Sequence, residues 1–304
     1  MHKVFVDGGF GTTGLRIVSR LEERKDIELI RLDENRRKDP EARKDALNSA
    51  DVAFFCLPDD AARESALLVE NPLTAVIDTS TAHRVSKGWV YGLPELKGQS
   101  KKIMSSKRVA NPGCHASGFI ALVAPLVQAG LIAPDGFLSC FSLTGYSGGG
   151  KKMIAQYEDE NKDTLLNAPR MYGLNQNHKH LPEMKLLCGL QNAPVFCPVV
   201  APYYAGMEVT VPVTGIRKTD AEDAYREYYR NGLIRFRADE SEEGFLSASA
   251  MAGRDDMTVS VFGSGERLIL SARFDNLGKG ASGAAIQNMN LILGLEESLG
   301  LVTD

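Results

Sequence analysis

A short strand that runs directly into a glycine-spaced turn and then into a helix leaves a chain few folds to choose from, and this chain begins with such a unit. Val4-Phe5-Val6 leads into Asp7-Gly8-Gly9-Phe10-Gly11-Thr12-Thr13-Gly14-Leu15, spacing Gly8, Gly11 and Gly14 as G-x-x-G-x-x-G. Backbone can approach a pyrophosphate closely there and direct N–H groups at it from a helix N-terminus. A tight structural turn also uses glycines, so the surrounding pattern decides. Short apolar runs at Lys3–Val6, Ile27–Leu32, Val52–Leu57 and Val76–Asp78 alternate with helix-like stretches such as Leu15–Glu22. That alternation predicts βαβ units and a parallel sheet.

The second strand ends at Leu32 and is followed by Asp33-Glu34-Asn35-Arg36-Arg37-Lys38. An acidic residue about twenty positions past the glycines suits the ribose hydroxyls of NAD, whereas arginines suit the 2′-phosphate of NADP. The paired Arg36 and Arg37 favour NADP, against the alternative that this is a solvated charge run.

With 304 residues the length suggests about two domains. The formal net charge of −4 provides no basic excess for nucleic acid, and no apolar run is long enough to span a bilayer. Strand-like residues begin almost at the N-terminus, which points to a soluble cytoplasmic protein. The five cysteines, Cys56, Cys114, Cys140, Cys188 and Cys197, are scattered and odd in number. They form neither a disulfide framework nor a metal-ligand cluster, and a reducing compartment suits them.

From about Phe137 the texture changes. Phe137–Leu143, Gly206–Val213, Met257–Phe262 and Arg267–Phe274 alternate like strands, with Met207, Val209, Val211 and Val213 on one face, as in an antiparallel sheet covered on one side. A helix opening with the capping-box pair Thr219 and Glu222 and stopping at Gly232 is expected between them, and a last helix over roughly Ala281–Leu299.

Cys114 lies in Asn111-Pro112-Gly113-Cys114-His115, just ahead of an apolar helical stretch. A Pro-Gly turn sets the thiol at a helix N-terminus, where free N–H groups and the helix dipole favour thiolate. Together with a dinucleotide unit, this suggests thioester chemistry with hydride exchange. Such chemistry needs a group that moves protons. His115 adjoins the cysteine, but neighbouring helical side chains diverge, so it is discounted as the base. His178-Lys179-His180-Leu181-Pro182-Glu183 is the better candidate: in an extended segment the two imidazoles share a side, and Glu183 begins a helix nearby. The loop Thr144-Gly145-Tyr146-Ser147-Gly148-Gly149-Gly150-Lys151-Lys152 can wrap an anionic group, with Lys151 or Lys152 adding charge.

These motifs, together with Val76–Ser80, Tyr91-Gly92-Leu93-Pro94-Glu95-Leu96 and Asn276-Leu277-Gly278-Lys279-Gly280-Ala281, resemble the N-acetyl-γ-glutamyl-phosphate reductase family, relatives of aspartate-semialdehyde dehydrogenase. The match runs in family order over nearly the whole chain. Its short length resembles the compact branch, and His115 and Ser117 depart from the aromatic residue and threonine of the longer branch.

The resemblance implies an α/β fold: a Rossmann NADP-binding domain over 1–113 and 277–304, and an α+β catalytic and dimerisation domain over 114–276. The latter would carry a mainly antiparallel sheet like the C-terminal domain of glyceraldehyde-3-phosphate dehydrogenase. It further implies reduction of N-acetyl-γ-glutamyl phosphate by NADPH through a Cys114 thioester, in arginine biosynthesis. His180 is then the expected acid/base, with His178 second. Gly8, Gly11, Thr12, Thr13, Gly14, Arg36, Arg37, Ser80, Lys279 and Gly280 are expected at the cofactor, and Asn111, Ser147, Gly148 and Glu183 at the substrate. The partner is a small acyl phosphate, neither nucleic acid nor membrane, and the assembly a homo-oligomer, dimer or tetramer. Rival readings are the same chemistry on aspartyl phosphate or carrier-linked aminoadipyl phosphate, and a non-catalytic NADP-sensing regulator, which would need neither the thiol nor the paired histidines.

Overall fold

The computed structural model describes residues 1–303. In chain order, β1 (His2–Asp7), α1 (Thr12–Glu22), β2 (Ile27–Ile30), α2 (Pro40–Ser49), β3 (Val52–Phe55), α3 (Asp59–Leu68), β4 (Ala75–Asp78), β5 (Val90–Tyr91), α4 (Gln99–Ser105) and β6 (Arg108–Ala110) come first. Then follow α5 (Cys114–Gln128), β7 (Ser139–Gly145), α6 (Gly150–Glu158), β8 (Arg170–Met171), α7 (Leu181–Cys188), β9 (Val195–Ala201), β10 (Met207–Thr214), α8 (Lys218–Tyr228), β11 (Ile234–Phe236), β12 (Met257–Ser264), β13 (Arg267–Phe274) and α9 (Gly283–Ile292). They divide into two compact units. The first is 1–94, 98–112 and 281–301, and the second, among the described residues, is 95–97, 113–280 and 302–303.

The first unit is a parallel six-stranded sheet, ordered β2-β1-β3-β4-β6-β5. Its central strands β3 and β4 are buried along their whole length, as the continuous apolar runs require. Because the chain leaves β1 for β2 on one side and returns to β3 on the other, the strand order reverses beside β1, where such sheets bind ligands. The last helix, α9, packs into this unit's core through Ala285, Ile286 and Met289. It stops at Ile292, short of the expected Leu299, because Gly294 takes φ +70°. Gly294 N–H then bonds Leu291 O and Leu295 N–H bonds Asn290 O, the paired bonds of a left-handed helix stop.

In the second unit a seven-stranded sheet has the order β11-β12-β13-β10-β7-β9-β8. Four of its pairings are antiparallel, and β7 with β9 and β11 with β12 run parallel. Met207, Val209, Val211 and Val213 are buried on one face, as their alternation predicted, with α5 and α8 against that side of the sheet. The expected capping box is absent: α8 begins two residues earlier, with Arg217 rather than Thr219 as N-cap, and Arg217 pairs with Asp220. It ends at Tyr228, before Gly232.

Helix α5 is apolar all round and almost wholly buried although Pro125 lies inside it. Proline cannot donate to the carbonyl four residues back. The Ala121 carbonyl instead accepts the Tyr229 hydroxyl at 2.7 Å, and Leu122 O accepts that of Tyr225 at 2.5 Å.

Candidate active site

In the first unit, Gly8 has φ +84°, and a Cβ there would lie 2.4 Å from Cys56 O, so only glycine lets the turn pass under the chain that leaves β3. A Cβ on Gly14 would meet Gly8 O at 2.7 Å, whereas one on Gly11 would make only an ordinary contact with Gly8 O at 3.9 Å. Gly11 is the N-cap of α1 and no side chain caps that end, so the first-turn N–H groups face outward for an anion. The buried Thr12 Oγ1 has no hydrogen-bond partner among the described residues. A cavity of about 590 Å³ beside the turn is lined by Asp7–Phe10, Leu29–Leu32, Arg37, Lys38 and Arg43. The Arg37 guanidinium lies 4.5 Å above the Phe10 ring. Arg36 does not line this cavity; it reaches toward Asp39 at 3.8 Å.

Arg43 and Asp7 are partners that the motif reading missed. Buried Asp7, at the end of β1, accepts Arg43 Nη2 at 2.8 Å and the Ser65 hydroxyl at 2.9 Å, so its charge is compensated before any phosphate arrives. The turn, the unpartnered hydroxyl and the cationic rim fit a phosphorylated dinucleotide. Ser80 is buried after β4 and donates to Asp78 Oδ2 at 2.8 Å. Asn111 donates to Ala281 O at 3.0 Å and accepts from Asn288 at 3.3 Å, so its carboxamide secures the end of β6.

In the second unit, Cys114 is the first residue of α5, and Gly113 is its extended N-cap. That end of a helix stabilises negative charge. Burial pushes the Cys56 thiol up to about 12 and raises Cys140 and Cys188 still further. Cys114 is partly exposed. Glu183, buried at the start of α7, accepts the Gly113 N–H at 3.1 Å and lies 4.0 Å from His180 Nε2.

The expected extended His178–His180 segment is instead a turn. Leu181 N–H bonds His178 O, and His180 caps α7 with Pro182 in the first turn, where no N–H is needed. The two imidazoles still meet, with centroids 4.7 Å apart, and His115 joins them at 5.6 Å from His180. His115 is buried and its pKa falls to about 3, chiefly through loss of solvation. Its ring contacts Ser142 and Tyr172. Sequence spacing gave no sign of Tyr172 or Ser142.

The glycine loop is a 3₁₀ turn over Tyr146–Gly149 that leads into α6, with Lys151 and Lys152 on that helix. Ser147 is buried and accepts Asn276 Nδ2 at 3.0 Å, with Gly148 beside the same amide. The Lys279 side chain, expected at the cofactor, is fully buried and paired with Glu95 at 2.6 Å. Next to it, Gly280 lies against the nucleophile: a Cβ there would come 2.9 Å from Cys114 Cβ.

Residues 3–104 match the model of the semialdehyde dehydrogenase NAD-binding domain, and residues 114–276 that of the semialdehyde dehydrogenase dimerisation domain. The N-acetyl-gamma-glutamyl-phosphate reductase of Sinorhizobium medicae is 45% identical, covering 96% of this chain and 98% of its own. That of Brucella anthropi is 46% identical with the same coverage, and one from a Nostoc species is 42% identical over 98% of this chain and 99% of its own. Among solved structures, aspartate semialdehyde dehydrogenase II of Vibrio cholerae superposes with TM-score 0.70 at 16% identity, covering 97% of this chain and 98% of its own. The Francisella tularensis aspartate semialdehyde dehydrogenase gives 0.71 at 16% identity, covering 96% of this chain and 100% of its own.

Proposed function

The chain belongs to the N-acetyl-γ-glutamyl-phosphate reductases of the semialdehyde dehydrogenase family, and from that premise we propose that it makes N-acetylglutamate semialdehyde from the γ-phosphate through a Cys114 thioester. The observation that carries this reading is the placement of one partly exposed thiol at the N-terminus of α5, with His180 and Glu183 on the adjoining helix.

The sulfur of Cys114 attacks the acyl carbon, the bond from that carbon to the phosphate oxygen breaks, and phosphate leaves. NADPH, when bound at Gly8–Gly14 and Arg37, supplies a hydride to this chemistry. His180 gives and takes the proton that accompanies formation and collapse of the thiohemiacetal. Glu183 fixes both sides of this arrangement, since one carboxylate accepts the N–H before the nucleophile and faces the imidazole.

The second unit also presents an open sheet face on which Phe141, Val195 and Ile269 are 44%, 54% and 44% exposed. Cross-strand register sets them on one side with Thr210 and Pro212. That face pairs two copies into a dimer. A cytoplasmic location keeps the thiol reduced.

The test is the reverse reaction: purified protein with N-acetylglutamate semialdehyde, phosphate, and NADP or NAD. Phosphate-dependent NADP reduction is expected. Turnover of aspartate semialdehyde alone would move the substrate assignment, and no turnover with either would overturn the reading.

A further inference from the structure

The wall beside the nucleophile belongs to a π-helical turn, Gly278–Ser282, of a kind that is rare in proteins and concentrates at functional sites. Its Gly280 N–H reaches back to Asp275 O at 2.9 Å, and the Asp275 carboxylate accepts the N–H groups of Leu277 at 2.6 Å and Gly278 at 3.1 Å. Those bonds hold the near end of the turn. Beyond them the long side chain of Lys279 is wholly buried, with its ammonium 2.6 Å from Glu95 Oε1 on a side chain only 2% exposed. Glu95 is fixed in its turn: its Cγ lies 3.3 Å from where a Cβ on Gly232 would stand, and the nearby Lys97 N–H donates to the Tyr228 hydroxyl at 3.0 Å. The ion pair therefore ties the turn to the end of α8.

Apolar side chains fill an interior about as stably as a buried ion pair, so stability is a poor reason for charges in this place. What a charged hydrogen bond adds is direction, because it sets one separation and one angle between the groups it joins. The residue after Lys279 is Gly280, on which a Cβ would come 2.9 Å from Cys114 Cβ and 3.3 Å from the Phe274 ring. A small slide of the turn would press on the sulfur-bearing carbon or release it to other rotamers.

We propose that Lys279 and Glu95 are positioning residues: their ion pair sets Gly280 against Cys114 and so confines the sulfur to the N-terminus of α5, aimed at the acyl carbon. The inference rests on Cys114 being the nucleophile.

Three variants decide it: an apolar pair, Lys279→Met with Glu95→Leu; the single change Glu95→Gln; and a re-paired protein, Lys279→Arg with Glu95→Asp, which lengthens one side chain as it shortens the other. In the reverse assay the apolar pair should melt near the wild-type temperature and yet lose about tenfold or more in kcat, the effect of a misplaced reacting group. KM for the semialdehyde should move less than about twofold. Glu95→Gln keeps an acceptor for the ammonium and should lose about threefold, the effect of a charged bond made neutral. The re-paired protein should recover most of the activity. Wild-type kcat in the apolar pair would overturn the proposal, and should that protein fail to fold, wild-type kcat in Glu95→Gln would do so. A re-paired protein no better than the apolar pair counts against it as well.

Alkylation of Cys114 by iodoacetamide at neutral pH, read by mass spectrometry of its peptide, reports the placement of the sulfur without substrate. The helix N-terminus favours thiolate only while the sulfur stays there, so the apolar pair should react most slowly, Glu95→Gln less slowly, and the re-paired protein nearly as fast as wild type. That order supports the proposal even if wild type fails to turn over the semialdehyde, an outcome that would count against the substrate assignment alone. Unchanged or faster alkylation in the apolar pair would show that the sulfur is placed independently of Lys279 and Glu95.

Discussion

At the scale of single residues, the position of the thiol at a helix start was legible because a Pro-Gly turn precedes an apolar helical stretch. Cys114→Ser should remove phosphate-dependent NADP reduction while NADP still binds, measured by steady-state assay beside fluorescence titration; retained turnover would exclude the sulfur. Gly280 is a sharper probe, since an added methyl has only 2.9 Å to Cys114 Cβ. Gly280→Ala should cut kcat by about tenfold or more through displacement of the sulfur, while the NADP dissociation constant stays unchanged. At the cofactor, the paired arginines divide: Arg37 lines the cavity and Arg36 faces Asp39. Arg37→Ala should therefore weaken NADP about tenfold or more, the scale of one lost charged hydrogen bond, with NAD little affected and Arg36→Ala much milder. Equal effects of the two would reject this division. Composition alone could not separate them, because which of two adjacent side chains turns inward depends on the local backbone turn after β2. His115 was similarly illegible: the argument that it diverges from Cys114 said nothing of the partners α5 brings to it from β7 and the segment after β8.

At the scale of elements, alternation and periodicity located the parallel strands and the buried face of β10, because in those places burial follows a simple repeat. Helix ends were harder. The Thr219 capping pair lost to Arg217, which gains Asp220 as a partner, and Gly294 stopped α9 before the apolar pattern did. The most instructive element is α5, whose internal proline is offset by tyrosines about a hundred residues away, a long-range compensation that no local window contains. Tyr229→Phe should destabilise the second unit by about 1–3 kcal/mol by leaving the Ala121 carbonyl buried without its donor. Chemical denaturation would measure this. A change below about 0.5 kcal/mol would mean that the carbonyl is satisfied in another way.

At the scale of the whole molecule, the buried titratable groups define a stability window in pH. His115 is held near 3 in the folded protein against 6.5 when exposed, so its stabilising contribution is complete above about 6.5 and is lost as pH falls toward 3. Below 6.5 the unfolded chain binds a proton that the native ring refuses, and unfolding gains up to about 1.4 kcal/mol per pH unit from this group. On the other side, burial lifts Cys56 to about 12 from 9.0, so the unfolded chain ionises first above pH 9 and stability falls again. Tyr225 and Tyr229, raised well above 10.0 by burial, add to the same limb. Unfolding free energy should thus be highest between about pH 6.5 and 9. Replacing His115 by phenylalanine should flatten the part of the acid limb between pH 6 and 4 that one imidazole supplies, about one proton's worth of slope, while the alkaline limb stays as it was. Denaturant titrations at half-unit pH steps would read this directly, and an unchanged acid slope in that variant would show that the ring takes up its proton in the folded state.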